Sequence, residues 1–160
     1  KSTTGVTLTV ALSAKIQDDT KAALLGGDRF VGDTLRNLKA AILNEEVAQG
    51  KRDTGLDDSD IEKIIAREVK KRNESIALYE QNGRPELAEV ERKEAEVLAK
   101  YLPEQLSEEK LREIVAAKIA ELGVTDAKGM GRVIGGVKQQ VGNSADGALL
   151  ARIVKESLAQ

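Results

Sequence analysis

A glycine-rich stretch between residues 128 and 138 carries the side chains of this sequence that are best suited to contact phosphate. Lysine and arginine neutralise phosphate oxygens, and glycine lets the backbone approach an anion closely. The candidate nucleic-acid-binding residues are Lys128, Gly129, Gly131, Arg132 and Lys138. Nucleotide loops of this kind follow a strand, and a P-loop ends in Gly-Lys-Ser/Thr. Neither feature is present, so the stretch does not indicate a nucleotide pocket.

The end of the chain is locally basic. From Gly123 onward it has five basic and three acidic residues, although the whole chain has a net charge of -2. Two structural alternatives to phosphate contact stay open. Gly131 and Gly135 lie four residues apart and would give a helix a smooth face for close packing. Lys128 and Arg132 would otherwise belong to an ordinary solvated face of a small bundle.

The composition excludes several kinds of active site. The 160 residues include no Cys and no His, which excludes disulfides, thiolate catalysis and Ser-His triads and removes the usual zinc ligands. Glu91, Glu94 and Glu96 could act as paired catalytic carboxylates, but the sequence around them indicates no apolar pocket that would raise a pKa. We therefore expect no catalytic residue, no metal site and no cofactor.

The elements that position these residues are predicted to be helices. Aromatic residues make up only 2% of the chain, so the core must be built from Leu, Ile, Val and Ala, which favours helix packing over a sheet. We expect a tail or leader over residues 1–11 and an N-terminal helical domain with a long helical hairpin over 12–102. A small three-helix bundle follows over 103–160, because Pro103 interrupts the helical pattern. No apolar run reaches the ~20 residues of a membrane span, so we expect no membrane partner and a cytoplasmic location.

Capping residues give the predicted helix starts. The second helix is expected over residues 33–48, and Ser59 with Glu62 forms a capping box for the third. Ser107 is expected to cap the fifth helix, and Asp126 and Asp146 the sixth and seventh. The apolar stripe of the fourth helix is predicted to consist of Leu87, Val90, Val97, Leu98 and Tyr101.

Four ordered segments carry a resemblance to a known family over about residues 12–158. They are residues 34–46 (TLRNLKAAILNEE), 68–80 (EVKKRNESIALYE) with 83–85 (GRP), 101–107 (YLPEQLS), and 130–131 with 145–147. On these segments the chain resembles the YqeY family, the stand-alone relatives of the tail domain of the GatB subunit of tRNA-dependent amidotransferases. The resemblance implies an all-helical fold whose C-terminal bundle is similar to the GatB tail.

The resemblance also implies a function. It implies a module that performs no chemistry by itself and binds tRNA or an RNA–protein complex, or associates with amidotransferase subunits. A label of carbon–nitrogen ligase with glutamine as amido-N-donor would be inherited from the full enzyme. The sequence departs from the family where a basic loop precedes the last helix, because Ser144 and Ala148 stand where Arg or Lys is expected. The alternative function is a protein–protein adaptor that uses the long hairpin and has no RNA role.

Overall fold

All the secondary structure in the residues that this computed structural model describes, 11–159, is helical. Four helices lie before residue 101, namely α1 (Leu12–Leu25), α2 (Arg29–Ala48), α3 (Asp58–Gln81) and α4 (Pro85–Ala99). Three follow, α5 (Glu108–Leu122), α6 (Met130–Val141) and α7 (Gly147–Leu158), with 3-10 turns at Ala127–Gly129 and Gly142–Ser144. The predicted all-α class is confirmed. The predicted tail or leader lies outside the described residues, apart from Ala11.

The chain divides into two units, Lys1–Tyr101 and Leu102–Gln160. The division falls just before Pro103, which has no amide hydrogen to donate and disfavours a helical conformation at Leu102. Helix α4 accordingly ends at Ala99.

The first unit is built from two helical pairs, α1 with α2 and α3 with α4. Its core is formed by buried aliphatic side chains that recur at helical spacing along these helices, together with Leu56 from the loop between α2 and α3. They are Ile16, Leu35, Leu38, Ile42, Leu56, Ile61, Ile64, Ile65, Ala88, Ala95 and Leu98. The predicted long hairpin is formed by α3 and α4. Gly83 turns the chain with a φ of +69°, and Pro85 occupies the first turn of α4, where its missing amide hydrogen costs nothing.

Two helices of the first unit begin earlier than predicted. Helix α2 starts at Arg29, four residues before the expected start, because the Asp28 carboxylate accepts a hydrogen bond from the Val31 amide at 3.2 Å. Helix α3 is capped by Asp57, which accepts from the Asp60 amide at 2.8 Å. The cap predicted at Ser59 is therefore wrong, because the upstream carboxylate satisfies the first free amides of the helix.

The stripe predicted for α4 is wrong at its first two positions. Leu87 and Val90 are exposed, whereas Ala88, Ala95 and Leu98 are buried. The buried face is thus rotated by about one residue, or 100°, from the face that the larger aliphatic residues suggested. Alanine at the contact lets two helices approach closely, which the pattern of large side chains could not indicate.

The second unit is a three-helix core formed by α5, α6 and α7. Its buried residues are Leu111, Val115, Val124, Val133, Val137, Leu150, Ile153 and Val154. The predicted caps at Ser107 and Asp146 are confirmed, since they accept from the amides of Lys110 and Leu149. Asp126 caps the 3-10 turn Ala127–Gly129, which leads directly into α6.

Candidate nucleic-acid interface

Helix α6 places three of the five predicted site residues, Gly131, Arg132 and Lys138, away from its core face, while Lys128 and Gly129 lie in the 3-10 turn before it. Val133 and Val137 are fully buried, while Gly131, Arg132 and Lys138 are exposed. An α-helix turns by about 100° per residue, so Arg132 and Lys138 lie about 120° apart around the axis and flank a common outer face. We call this face, together with Lys128, the α6 surface. Gly131 and Gly135 lie between its two flanking cations.

The glycines of this region have different structural roles. A Cβ atom at Gly129 would lie 2.3 Å from a methyl carbon of Val124, which is buried, so Gly129 is required for packing. At Gly131 and Gly135 an added Cβ would meet no atom within 4 Å. The close helix packing considered for that pair is therefore wrong among residues 11–159, where their backbone stays open.

The cations of the second unit fall into two groups. Those in the first group form ion pairs, and they are Lys110, Arg112, Lys118 and Arg152. The second group comprises Lys128, Arg132, Lys138 and Lys155, all exposed, and none forms an ion pair with an acidic residue in the range 11–159. Every member of the second group follows Gly123. The available positive charge is therefore concentrated on α6, its preceding turn and α7.

A network between α5 and α7 explains why the two arginines are not available. Arg112 donates to Glu156 at 2.7 Å and to Glu108 at 2.9 Å, and Arg152 donates to the same Glu108 oxygen at 3.1 Å. The hydrogen bonds to Glu156 and Glu108 raise the pKa of the Arg112 guanidinium, and the bond from Arg112 lowers the pKa of the Glu156 carboxyl. Both arginines are thus neutralised within the unit.

The turn before α7 is fixed by the segment that enters the second unit. The Ser144 carbonyl accepts from the Leu106 amide at 2.8 Å, and the Asn143 carbonyl accepts from the Gln105 side chain at 2.9 Å. Ser144 and Ala148 are the neutral residues found where the family pattern is basic. Neither can neutralise phosphate, so neither the turn at Ser144 nor the start of α7 at Ala148 supplies a positive charge there.

Of the acidic residues considered as catalytic carboxylates, Glu94 forms an ion pair that connects two helices. Glu94 pairs with Arg72 at 3.0 Å, and Arg72 also donates to Glu68 at 3.2 Å, so one guanidinium links α3 to α4. Partial burial, followed by the charge of Glu94, raises the pKa of Glu91. Among residues 11–159 no cluster of three or more acidic side chains could hold a metal ion.

One polar cluster of the first unit was not predicted. The Tyr101 hydroxyl donates to the Asp19 carboxylate at 2.5 Å, and the Lys15 ammonium lies 5.7 Å from the centre of the Tyr101 ring. Burial and the bond to Asp19 raise the pKa of the Tyr101 hydroxyl well above its ordinary value. The two bonded residues are 82 positions apart, so no local sequence pattern could have indicated their contact.

Curated relatives of the chain are fungal proteins. A Clavispora lusitaniae protein named "Altered inheritance of mitochondria protein 41, mitochondrial" is 29% identical over 73% of this chain and 68% of its own length. Proteins of the same name from Kluyveromyces lactis and Eremothecium gossypii are 30% and 34% identical. The matches cover 72% and 56% of this chain, and 60% and 48% of those proteins.

These names correct one expectation. We expected a cytoplasmic location, but the relatives are named as mitochondrial proteins, so that expectation is wrong. In the described range, no helix combines the length and the apolar character that a bilayer span requires.

The predicted family is confirmed by the comparison with family models. The model described as "Yqey-like protein" matches residues 13–158, which includes all four sequence motifs and nearly the whole of the predicted range, 12–158. The chain belongs to the YqeY family.

Proposed function

We propose that this YqeY-family protein binds the phosphate backbone of tRNA, or of tRNA held in an amidotransferase complex, and performs no chemistry by itself. The observation that carries the proposal is that some cations of the second unit form ion pairs and others do not. Lys128, Arg132 and Lys138 are exposed and form no ion pair within the described residues, whereas Arg112 and Arg152 are neutralised.

Free cations are the ones that can bind phosphate at low cost. A lysine or arginine that already pairs with a carboxylate must give up that pair before it can contact RNA. Neutralising phosphates releases condensed counterions, and this release supplies much of the affinity for nucleic acid. The α6 surface offers its cations without such a loss, and the open backbone at Gly131 and Gly135 leaves room for a sugar–phosphate chain between them.

The neutral residues near the start of α7 move the proposed phosphate contact from that loop to α6. In the family pattern the loop before the last helix carries the basic residues, but here Ser144 and Ala148 hold those positions. Of the four cations of the second unit that form no ion pair within residues 11–159, three lie on α6 and on the turn before it, and Lys155 lies on α7. Because the curated relatives are named as mitochondrial, we propose that the RNA is met in mitochondria.

Filter binding of the whole chain to bulk tRNA at about 50 mM salt tests this proposal. Replacing Lys128, Arg132 and Lys138 by Ala removes three contacts and should weaken binding by about 100-fold or more at this salt concentration. A matched control replaces Lys21, Lys63 and Lys93 of the first unit, which are also exposed and unpaired within residues 11–159 but lie on three different helices and so do not share one helix face. The control removes the same charge and should bind as the wild type does. Equal binding by both variants, or no binding by the wild type, would reject the proposal.

A protein–protein adaptor is the second candidate function. It is favoured by exposed aliphatic side chains near the turn of the α3–α4 hairpin, where Leu78 is 58%, Val90 46% and Leu87 36% exposed. Such side chains are common at protein contacts when they are contiguous. In affinity purification from the native host, an adaptor would retain a partner after nuclease treatment. The partner should be lost when Leu78 and Val90 are replaced by Glu and kept by the triple α6 variant.

A further inference from the structure

We propose that the α6 surface binds double-helical RNA along its phosphate backbone, in preference to single-stranded RNA. This inference rests on the proposed function and narrows it, because it names the form of RNA that the surface accepts. It follows from where the free cations lie and from which side chains the second unit can offer to bases.

The cations of the α6 surface are spaced for a row of phosphates. Arg132 and Lys138 are six residues apart, which separates them by about 9 Å along the helix axis and about 120° around it. Lys128 precedes Arg132 by four residues and lies in the turn, capped by Asp126, that leads into α6. A single small anion could not reach all three side chains, whereas a continuous sugar–phosphate backbone can.

The second unit has no aromatic side chain with which to hold unpaired bases. The aromatic residues of the whole chain are Phe30, Tyr79 and Tyr101, and all three precede residue 102. Single-stranded RNA is bound largely by stacking its bases on aromatic rings, with some stacking on arginine. Double-stranded RNA keeps its bases stacked inside the helix and is recognised through phosphates and 2′-hydroxyls. The chemistry of the α6 surface, with only Arg132 able to stack, therefore matches the duplex.

The expected preference can be estimated from counterion release. The slope of log K against log salt is about -0.9 per contact for a duplex and about -0.7 for a single strand. With three contacts, and with equal binding of the two forms at 1 M salt, this difference favours the duplex by about sixfold at about 50 mM salt. Stacking would narrow or reverse this ratio if the surface held unpaired bases.

Fluorescence anisotropy with defined RNAs tests the inference. The probes are a blunt RNA duplex of about 16 base pairs, long enough to span two minor grooves, and each of its strands alone, in a sequence that cannot pair with itself. The whole chain, the Lys128/Arg132/Lys138 triple Ala variant and the Lys21/Lys63/Lys93 triple Ala variant are compared at the same salt.

The outcomes separate the inference from the function on which it rests. The inference expects the wild type and the Lys21/Lys63/Lys93 control to favour the duplex by about sixfold, and the α6 variant to lose duplex binding. If the wild type binds the single strands as tightly as the duplex or more tightly, and the α6 variant loses that binding, the duplex preference is overturned and the RNA function stands. If no RNA is bound, or the α6 variant binds as the wild type does, both are rejected.

Discussion

Both units of the protein contain cations that form ion pairs and cations that form none within residues 11–159, but the two units arrange the unpaired cations differently. In the first unit, charged side chains connect helices to one another, as Arg72 does between α3 and α4. In the second unit, residues 102–160 contain eight basic and eight acidic residues, yet four of the basic ones form no ion pair with residues 11–159. Equal numbers of basic and acidic residues therefore do not mean that every cation of the second unit forms an ion pair. Lack of an ion pair does not by itself indicate where an anionic ligand can bind, because Lys21, Lys63 and Lys93 of the first unit are also unpaired within residues 11–159. Those three lie on three different helices, whereas the flanking cations of the α6 surface lie on one helix.

The largest expected effect concerns the structural use of charge in the first unit. The Arg72 side chain is only 12% exposed, and replacing it by Ala leaves the Glu68 and Glu94 carboxylates partly buried and close together. We expect a loss of about 3 kcal/mol in the free energy of unfolding, because removing the arginine leaves two partly buried carboxylates without a neutralising charge. Urea denaturation followed by circular dichroism measures the change.

A matched control exists in the turn of the hairpin itself, at the N-cap of α4. Arg84 pairs with Glu86 at 2.8 Å, but both side chains are about 60% exposed. Replacing Arg84 by Ala should leave the urea midpoint unchanged, since exposed pairs contribute little. Equal shifts for the Arg72 and Arg84 variants would show that burial does not distinguish the two ion pairs.

Glycines of the second unit provide the next comparison. Gly129→Ala places a methyl group against Val124 and should cost about 2 kcal/mol through overpacking. Gly135→Ala meets no neighbour and should raise the free energy of unfolding by up to about 1 kcal/mol, because alanine is the better helix former. In urea denaturation, the Gly129→Ala midpoint should lie below that of the wild type and the Gly135→Ala midpoint above it. A stabilised Gly129 variant would contradict the packing role of that glycine.

The smallest effect concerns Tyr101 and depends on pH. Tyr101→Phe removes the hydrogen bond to Asp19 and should cost about 1 kcal/mol at neutral pH. The pKa of the Tyr101 hydroxyl is raised in the folded state, so its contribution is complete below the ordinary tyrosine value of 10.0 and is lost as the pH rises above that value.

Thermal denaturation of both proteins between pH 7 and pH 11 tests this dependence. Other groups titrate in both proteins, so the difference between them reports Tyr101 alone. The difference in melting temperature should shrink as the pH rises above 10.0, the ordinary tyrosine value. A difference that stays constant or grows would show that the proton of Tyr101 does not contribute to stability.

Much of the fold could be predicted because its determinants are local. Ser107 and Asp146 cap helices by accepting from an amide three residues further along the chain, and such spacing is visible in the sequence. The buried face of α4 could not be predicted in the same way. Ala88 and Leu87 are neighbours, and only the packing in the folded unit decides which of them faces inward.

The residue types of the candidate site could be predicted, but the sequence did not show which of its cations form ion pairs. Lys138 and Arg152 both carry one positive charge, and both follow Gly123 in the sequence. Arg152 is neutralised by Glu108, 44 residues away, whereas Lys138 forms no ion pair in the part of the chain that is described. The same limit applies to Gly131 and Gly135, whose spacing is typical of helix packing although no described helix covers them.

The salt dependence of tRNA binding tests the central claim most directly, because it counts the phosphates that the protein neutralises. If Lys128, Arg132 and Lys138 each contact one phosphate, replacing all three by Ala should reduce the slope of log K against log salt by about 2 to 3. The Lys21/Lys63/Lys93 control should keep the wild-type slope. A slope that is the same in the wild type and the α6 variant would contradict the claim that these cations hold the RNA.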